Sequence, residues 1–423
     1  MNAALQTSVV RFDSGLEATT AVAAKSEVRV LHVFSVLSVG GAETWLMALL
    51  KYFREADGRL PVKIKCDILL TGGAPAFFDE EAKTLGARLF YLPFSRRHPF
   101  KFMREFRRIL TAGNYDVIHD HQDYMAGLHL LMGLGLLPAN RIAHVHNPFY
   151  QRTNSAQDLI RRLAGTTGKR LIGQLATHVM GTSRQIVSEY GFDGFDSRGV
   201  AVGAVNCGFD VTKYLGDPEA MHADLCRELG WSPESKIILF VGRLEADEIF
   251  HLGRVMTHKN PAFAIEVAKE CISRDSDVRL VMVGAGEAKR REYEALVNEW
   301  GLGRKIQFLG LRSDVPRLML GANVLLFPSL AEGLGMVVVE AQAAGLSVLA
   351  SDTTPRECVV VPGLVDFMSL AETPGLWADR ALNLLNGNHP NPVACNAAVR
   401  DSSFSIERSA ANLLSIYRPD KTA

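Results

Sequence analysis

Short apolar runs alternate along this chain with longer segments whose apolar positions recur every three to four residues. In the first half the runs are Val28 to Val36, Lys63 to Leu69, Val117 to His119, Ile142 to Val145, Thr177 to Met180 and Val200 to Val205. In the second half they are Ile237 to Val241, Arg279 to Val283, Ile306 to Leu309, Val324 to Phe327 and Ser347 to Ala350. Helix-like periodicity fills gaps between them, at Ala42 to Arg54, Pro261 to Ser273 and Ala288 to Trp300, and again near the end at Ser405 to Tyr417. Nearly continuous apolar runs suit parallel strands covered by helices on both faces. Strand, helix, strand, repeated in each half, predicts an α/β protein with two doubly wound parallel sheets, and such sheets bind ligands outside the carboxyl ends of their strands.

A length of 423 residues exceeds one ordinary core and fits two domains. The break is expected at Asn206-Cys207-Gly208-Phe209-Asp210, a glycine-bearing turn after the last strand of the first half. The expected division is a flexible leader over 1–26, Rossmann-like domains over 27–206 and 207–403, and a terminal helix over 404–423.

Composition changes this picture little: 48% hydrophobic and 22% charged residues suit a soluble globular enzyme. Charge changes it more. The net charge is zero, yet residues 1–206 carry 24 basic and 18 acidic side chains and the remainder 22 and 28. A basic first half suits an anionic membrane surface or a phosphate-linked acceptor, and an unevenly solvated surface is the alternative. No nucleic-acid partner is expected. Segment 95–110, SRRHPFKFMREFRRIL, interleaves arginines with phenylalanines; it reads as a basic amphipathic helix for an anionic lipid surface or as an ordinary helix packing its rings on the sheet. The six scattered cysteines, without a C-x-x-C pair, read as reduced structural thiols of a cytoplasmic protein. Arg11, Asp13 and Glu17 interrupt the apolar core a secretory signal needs, and Tyr124 to Ala139 is too short to span a bilayer, so membrane contact is expected to be peripheral.

The densest chemistry lies in FPSLAEGLGMVVVEAQAAGLSVLASD, residues 327–352. After a buried strand, a glycine-rich turn opens a helix over Gly335 to Ala344 whose first amides lack partners within it and attract anions. Glu332 precedes that helix and Glu340 lies inside it. Two carboxylates beside a phosphate cradle suit polyol recognition. A favourable helix dipole explains Glu332 alone; Glu340 lies too far in for it.

The segment EGLGMVVVE resembles the Glu-x7-Glu signature of retaining glycosyltransferases with the GT-B fold, of the group 1 and family 4 type, which build bacterial envelope polysaccharides and glycolipids. VLHVFSVLSVGGAETWLMALL, IAHVHNP, NCGFD, ILFVGRL, THKNP, VMVGAGE and FLGLRSDVPRLMLGANVLLFPS follow in that family's order over nearly the whole chain. The resemblance implies two Rossmann-like domains facing across a cleft, with the donor nucleoside-diphosphate sugar, UDP- or GDP-linked, on the C-terminal one and a glycan or lipid-linked acceptor on the other. It implies retention of configuration without metal or cofactor. No Asp-x-Asp triplet that would hold a divalent cation on the diphosphate is expected.

By the same resemblance, Arg243 and Lys259 hold the donor diphosphate, Glu332 orients the hexose, Glu340 takes the ribose diol, and the amides of Gly333, Leu334, Gly335 and Met336 meet phosphate or sugar. Gly40 and Gly41 form a loop closing on the donor, and His146, ending the strand IAHVH, contacts the transferred sugar; His119, Asp120, His121 and His144 are weaker candidates. Gly284, with Gly286, forms another strand-to-helix turn, and Leu311 to Asp314 stand where the family reads the base. The chain departs from the pattern in one place: fifteen residues separate Arg243 from Lys259, and Arg254 recreates the usual spacing. Arg243 is preferred because a strand end fixes a guanidinium better than a loop tip, and Arg254 remains its competitor. A sugar-nucleotide epimerase and a catalytically silent sugar-nucleotide-binding subunit are the alternative functions.

Overall fold

The computed structural model of the chain describes residues 27–95, 97–148, 156–245, 248–251, 254–387 and 390–418, with backbone alone at 156–162, 248–251 and 254–256. The predicted leader and Arg96 lie outside the described residues.

The apolar runs form two parallel sheets. The first contains β1 (Glu27–Phe34), β2 (Lys63–Leu70), β3 (Arg88–Tyr91), β4 (Val117–Asp120), β5 (Asn140–Val145), β6 (His178–Gly181) and β7 (Ala201–Ala204), in the order β3-β2-β1-β4-β5-β6-β7. The second contains β8 (Lys236–Val241), β11 (Val278–Val283), β12 (Ile306–Gly310), β13 (Val324–Phe327), β14 (Ser347–Ser351) and β15 (Val365–Met368), in the order β12-β11-β8-β13-β14-β15. Order reverses beside the first strand of each, the hallmark of double winding, and the switch point opens a crevice at the strand ends. Each sheet is sandwiched: Val30 and Ile68 pack into one core and Leu31 and Leu69 into the opposite one, the strand period of two made visible.

The edge strands β3 and β15 escape a search for long apolar runs because they are four residues each and only partly buried. The predicted loop between Arg243 and Lys259 is a correction of another kind: β9 (Glu248–His251) and β10 (Arg254–Thr257) pair antiparallel as a hairpin outside both sheets.

The basic segment folds as the helix Pro99–Gly113, which buries Phe102, Phe106 and Leu110 against the first sheet, leaves Arg104 and Arg108 exposed, and holds a half-buried Arg107 by a hydrogen bond to the Leu134 carbonyl at 2.7 Å. Phe100 stays outside, 78% exposed. No helix among the described residues is long and apolar enough to cross a membrane. All six cysteines are buried and unbridged.

At the waist the chain crosses twice, the Phe209 amide donating to the Phe404 carbonyl and the Ile406 amide to the Phe209 carbonyl, each at 3.0 Å. The helix Ile406–Tyr417 then packs on the first sheet beside the helix Gly41–Glu55. Trp45 Nε1 donates to Ser409 Oγ at 2.9 Å, Asn140 Nδ2 to the Ile416 carbonyl at 3.0 Å, and Tyr417 is buried in the first core.

Candidate active site

β13 ends at Phe327, and the loop that follows is tied down before it reaches the helix Met336–Ala343. Leu330 N donates to the His258 carbonyl at 2.9 Å and Ser329 Oγ to the same oxygen at 3.2 Å, while His258 Nε2 bonds the Ala331 carbonyl. These bonds stitch the turn after the hairpin to the loop after β13 and bring Lys259 to Glu332. The ammonium and carboxylate pair at 2.5 Å, with side chains 19% and 8% exposed. Burial works against charge on Glu332, but the Lys259 ammonium, His258 and the Ser329 hydroxyl outweigh it and hold the carboxyl below its ordinary value. An ion pair this secluded needs its partners intact, since removing one strands the other.

Gly335 takes φ +87° immediately before the helix, a conformation L side chains resist. Gly333 serves another need: a β-carbon there would collide with the His146 carbonyl oxygen of the facing domain. Glu340 lies within the helix, and burial pushes its carboxyl up to about 7 against the opposing effect of a hydrogen bond from the Tyr214 hydroxyl.

The facing wall comes from the first sheet. His146 follows β5, its backbone N–H held by Asp123 Oδ1 at 2.8 Å, and Asp123 itself sits at φ +51° with its carboxyl pushed by burial up to about 6. The first helix starts at Gly41 with Gly40 as its cap residue, and a β-carbon on Gly41 would lie 4.0 Å from Met336 Cγ. Glu43, in that first turn, has its carboxyl raised by burial, with its own backbone N–H and the charge of Arg243 acting against the rise. Ser183 Oγ donates to the Gly333 carbonyl at 2.6 Å, and the amides of Arg184 and Gln185 donate to Glu357 at 2.8 and 2.9 Å. The domains therefore meet in a hydrogen-bonded, closed arrangement.

Sequence-predicted residues thus gather on both walls, Gly40, Gly41 and His146 on one and Lys259 with Glu332 to Met336 on the other, while Glu340 lies one turn further along the helix Met336–Ala343. Arg243 is exposed two residues past β8, within electrostatic reach of Glu43 and His258. Arg254 belongs to β10, and its side chain lies outside the described residues. Gly284 follows β11 and abuts Gly242, where the two strand exits touch. Leu311 is 44% exposed beyond β12. Asp314 is committed to Arg312 and Arg317 at 2.7 and 2.8 Å, which hold its carboxyl well below the usual range. The chain's one Asp-x-Asp triplet, Asp275-Ser276-Asp277, precedes β11 at the end away from the crevice, with Asp275 bonded to Lys236 at 2.8 Å. Sequence reasoning missed Ser329, His258, Tyr214 and Glu357 as supports, and assigned no role to Glu43. Tyr214 and Glu357 lie just past NCGFD and the 327–352 segment, within neither, and carried no local signal; the S in FPS and the H in THKNP stood in view.

Profiles of two families match the chain: Glycosyltransferase Family 4 over residues 39–203 and Glycosyl transferases group 1 over residues 235–387. The putative glycosyltransferase EpsF of Bacillus subtilis (strain 168) is 28% identical over 395 residues, 93% of this chain and 97% of its own length. The capsular polysaccharide biosynthesis glycosyltransferase CapH of Staphylococcus aureus is 21% identical over 402 residues, 92% of this chain and 98% of its own. Among solved structures, Anabaena Alr3699/HepE in complex with UDP superposes with a TM-score of 0.70 at 16% identity, covering 92% of this chain and 98% of that one. WaaG, a glycosyltransferase involved in lipopolysaccharide biosynthesis, superposes at 0.66, likewise at 16% identity, over 92% and 100%. Both domains, their order and their sheets agree with these findings, and the chain belongs to the glycosyltransferases of the GT-B fold.

Proposed function

We propose that this glycosyltransferase moves a hexosyl group from a nucleoside-diphosphate sugar, UDP- or GDP-linked, to a hydroxyl of a glycan or lipid-linked acceptor in bacterial polysaccharide or glycolipid synthesis. The observation that carries the reading is the Lys259–Glu332 pair at the exit of β13, facing His146 and the Gly40-Gly41 turn. EpsF and CapH bear names of this kind, and HepE was crystallised with UDP and with UDP-glucose.

In this reading Lys259 and Arg243 face the diphosphate. Charge grows on it as the glycosidic bond breaks, and a charge-assisted hydrogen bond to such an oxygen contributes roughly 1.5–3 kcal/mol. Glu332, already oriented by Lys259 and Ser329, accepts from hexose hydroxyls, and Glu340 accepts from the ribose diol. With cationic side chains compensating the leaving group, transfer proceeds without metal. Retention follows a front-face course: the bond from C1 to the phosphate oxygen breaks, the bond from C1 to the acceptor oxygen forms on the same face, and the acceptor proton passes to the departing phosphate oxygen. The site is cytoplasmic, and the Pro99–Gly113 helix, with Arg104, Arg107, Arg108 and exposed Phe100, rests on an anionic membrane surface.

Incubating the purified protein with a panel of nucleotide sugars, with and without acceptor glycolipids, tests the proposal. Acceptor-dependent transfer in chelator, giving a product of the donor's anomeric configuration by NMR, is expected. Epimerisation without acceptor, or binding without turnover across the panel, would overturn it.

A further inference from the structure

Five histidines collect on one face of β1, β4 and β5, beneath the cleft. His119 and His121, and again His144 and His146, are two residues apart at neighbouring strand ends, and His32 lies opposite His119 in register. Trp45 and Tyr417 close over them from the two helices packed on that face. The rings are joined end to end: His32 Nδ1 meets His121 Nε2 at 3.0 Å, and His121 Nδ1 meets His146 Nε2 at 2.9 Å. The outer nitrogens, His32 Nε2 and His146 Nδ1, are buried without a partner.

A neutral imidazole carries one N–H and one bare nitrogen, so each bond in this chain needs one of each. Burial keeps His32, His121 and His146 neutral, with His32 and His146 pushed down to about 3. Two arrangements then satisfy both bonds. Either all three rings carry the proton on Nδ1, leaving His146 Nδ1 a donor, or all three carry it on Nε2, leaving that atom an acceptor. Any mixture sets two N–H groups or two lone pairs against each other inside the protein and forfeits a buried hydrogen bond.

These three rings are stacked among others, with His144 over His146 at 4.1 Å and Phe34 over His121 at 4.2 Å. Two triads, His32-His119-His121 and His121-His144-His146, bring ring nitrogens within 4.8 Å of one another, but both nitrogens of His121, common to the two, are taken by hydrogen bonds to His32 and His146, so the cluster is better suited to passing tautomers than to gripping an ion.

We propose that His32, His121 and His146 form one tautomeric unit, so that the buried His32 sets whether His146 Nδ1, covered in the closed arrangement, acts as donor or acceptor toward a sugar whose entry uncovers it. His121 and His32 are thereby positioning residues for donor recognition. This rests on the reading of His146 as a sugar contact.

Ring-nitrogen NMR of histidine-labelled full-length protein tests the unit directly. In the wild type all three rings should show the same protonated nitrogen, and in His32→Leu the ring of His146 should become a mixture of tautomers. Mixed tautomers among the three wild-type rings, or an unchanged His146 in His32→Leu, would overturn the inference. Should His32→Leu fail to fold, His121→Asn, which retains an amide able to bond His146 but breaks the link to His32, serves the same comparison. Kinetics separates the two readings. A raised KM for the sugar nucleotide in folded His32→Leu, returned toward wild type in His32→Asn, is expected. If transfer is instead indifferent to His146→Ala, the sugar contact fails while the tautomer result stands or falls by itself.

Discussion

Replacing Glu340 by glutamine should stabilise this protein above neutral pH while weakening its hold on the donor. The folded chain raises this carboxyl from 4.5 to about 7 through burial. A raised carboxyl binds its proton more tightly folded than unfolded, so its favourable contribution is complete below pH 4.5 and is lost as pH climbs to about 7. At about 1.4 kcal/mol per pH unit, ionising Glu340 costs up to about 3 kcal/mol at pH 8, reduced by whatever solvent reaches a partly exposed side chain. Glutamine keeps the shape and an acceptor for the Tyr214 hydroxyl but never ionises. Urea unfolding at pH 5 and pH 8 reads the difference, and the variant should gain about 1–3 kcal/mol at pH 8 and much less at pH 5. Equal stability at pH 8, or a larger gain at pH 5, would refute the reasoning. A residue that destabilises the empty protein has the profile of a binding group.

Lys259→Ala should depress turnover at least about a hundredfold, in keeping with lost stabilisation of the leaving group; near-native turnover in a folded variant would contradict the assignment. Gly333→Ala places a methyl against the His146 carbonyl oxygen, so the closed arrangement should be lost and small-angle scattering should report a larger radius of gyration. Glu357→Ala removes the acceptor of the Arg184 and Gln185 amides, and it should open the same interface without that steric push, with a smaller loss of turnover than Gly333→Ala. Changing Arg104, Arg107 and Arg108 to Glu should abolish co-sedimentation with anionic vesicles; unchanged binding would remove this helix from any membrane role.

Central strands were legible because their apolar runs are covered on both faces. Val324–Phe327 is fully buried and was read to the residue. The edge strands β3 and β15 were not, since a half-covered strand such as Arg88–Tyr91 mixes polar and apolar positions. The loop bearing Glu332 was legible through its glycines, and Lys259 through the proline that opens the next helix. Whether they touch was not. Their contact depends on His258 and Ser329 joining two strand exits, a matter of sheet order rather than local pattern. Interdomain contacts were less visible still: Glu357 reaches amides 173 and 172 positions away, with nothing in its neighbourhood to announce it. The histidine pairs in VIHDH and IAHVH showed the two-residue period of a strand face, yet His32 joins them only through the register of β1 with β4.

The central claim is that a nucleoside diphosphate binds beside the Lys259–Glu332 pair and the helix that carries Glu340. Calorimetric titration of UDP and GDP, in chelator, into the wild type and Lys259→Met addresses it most directly, with unfolding measured alongside because a ligand at a hundred times its Kd adds about 2.7 kcal/mol. The account predicts saturable one-to-one binding of one of the two nucleotides to the wild type and at least about tenfold weaker binding to the variant, the loss expected for one charge-assisted hydrogen bond. Binding of neither nucleotide to the wild type, or equal affinity in folded Lys259→Met, would contradict it.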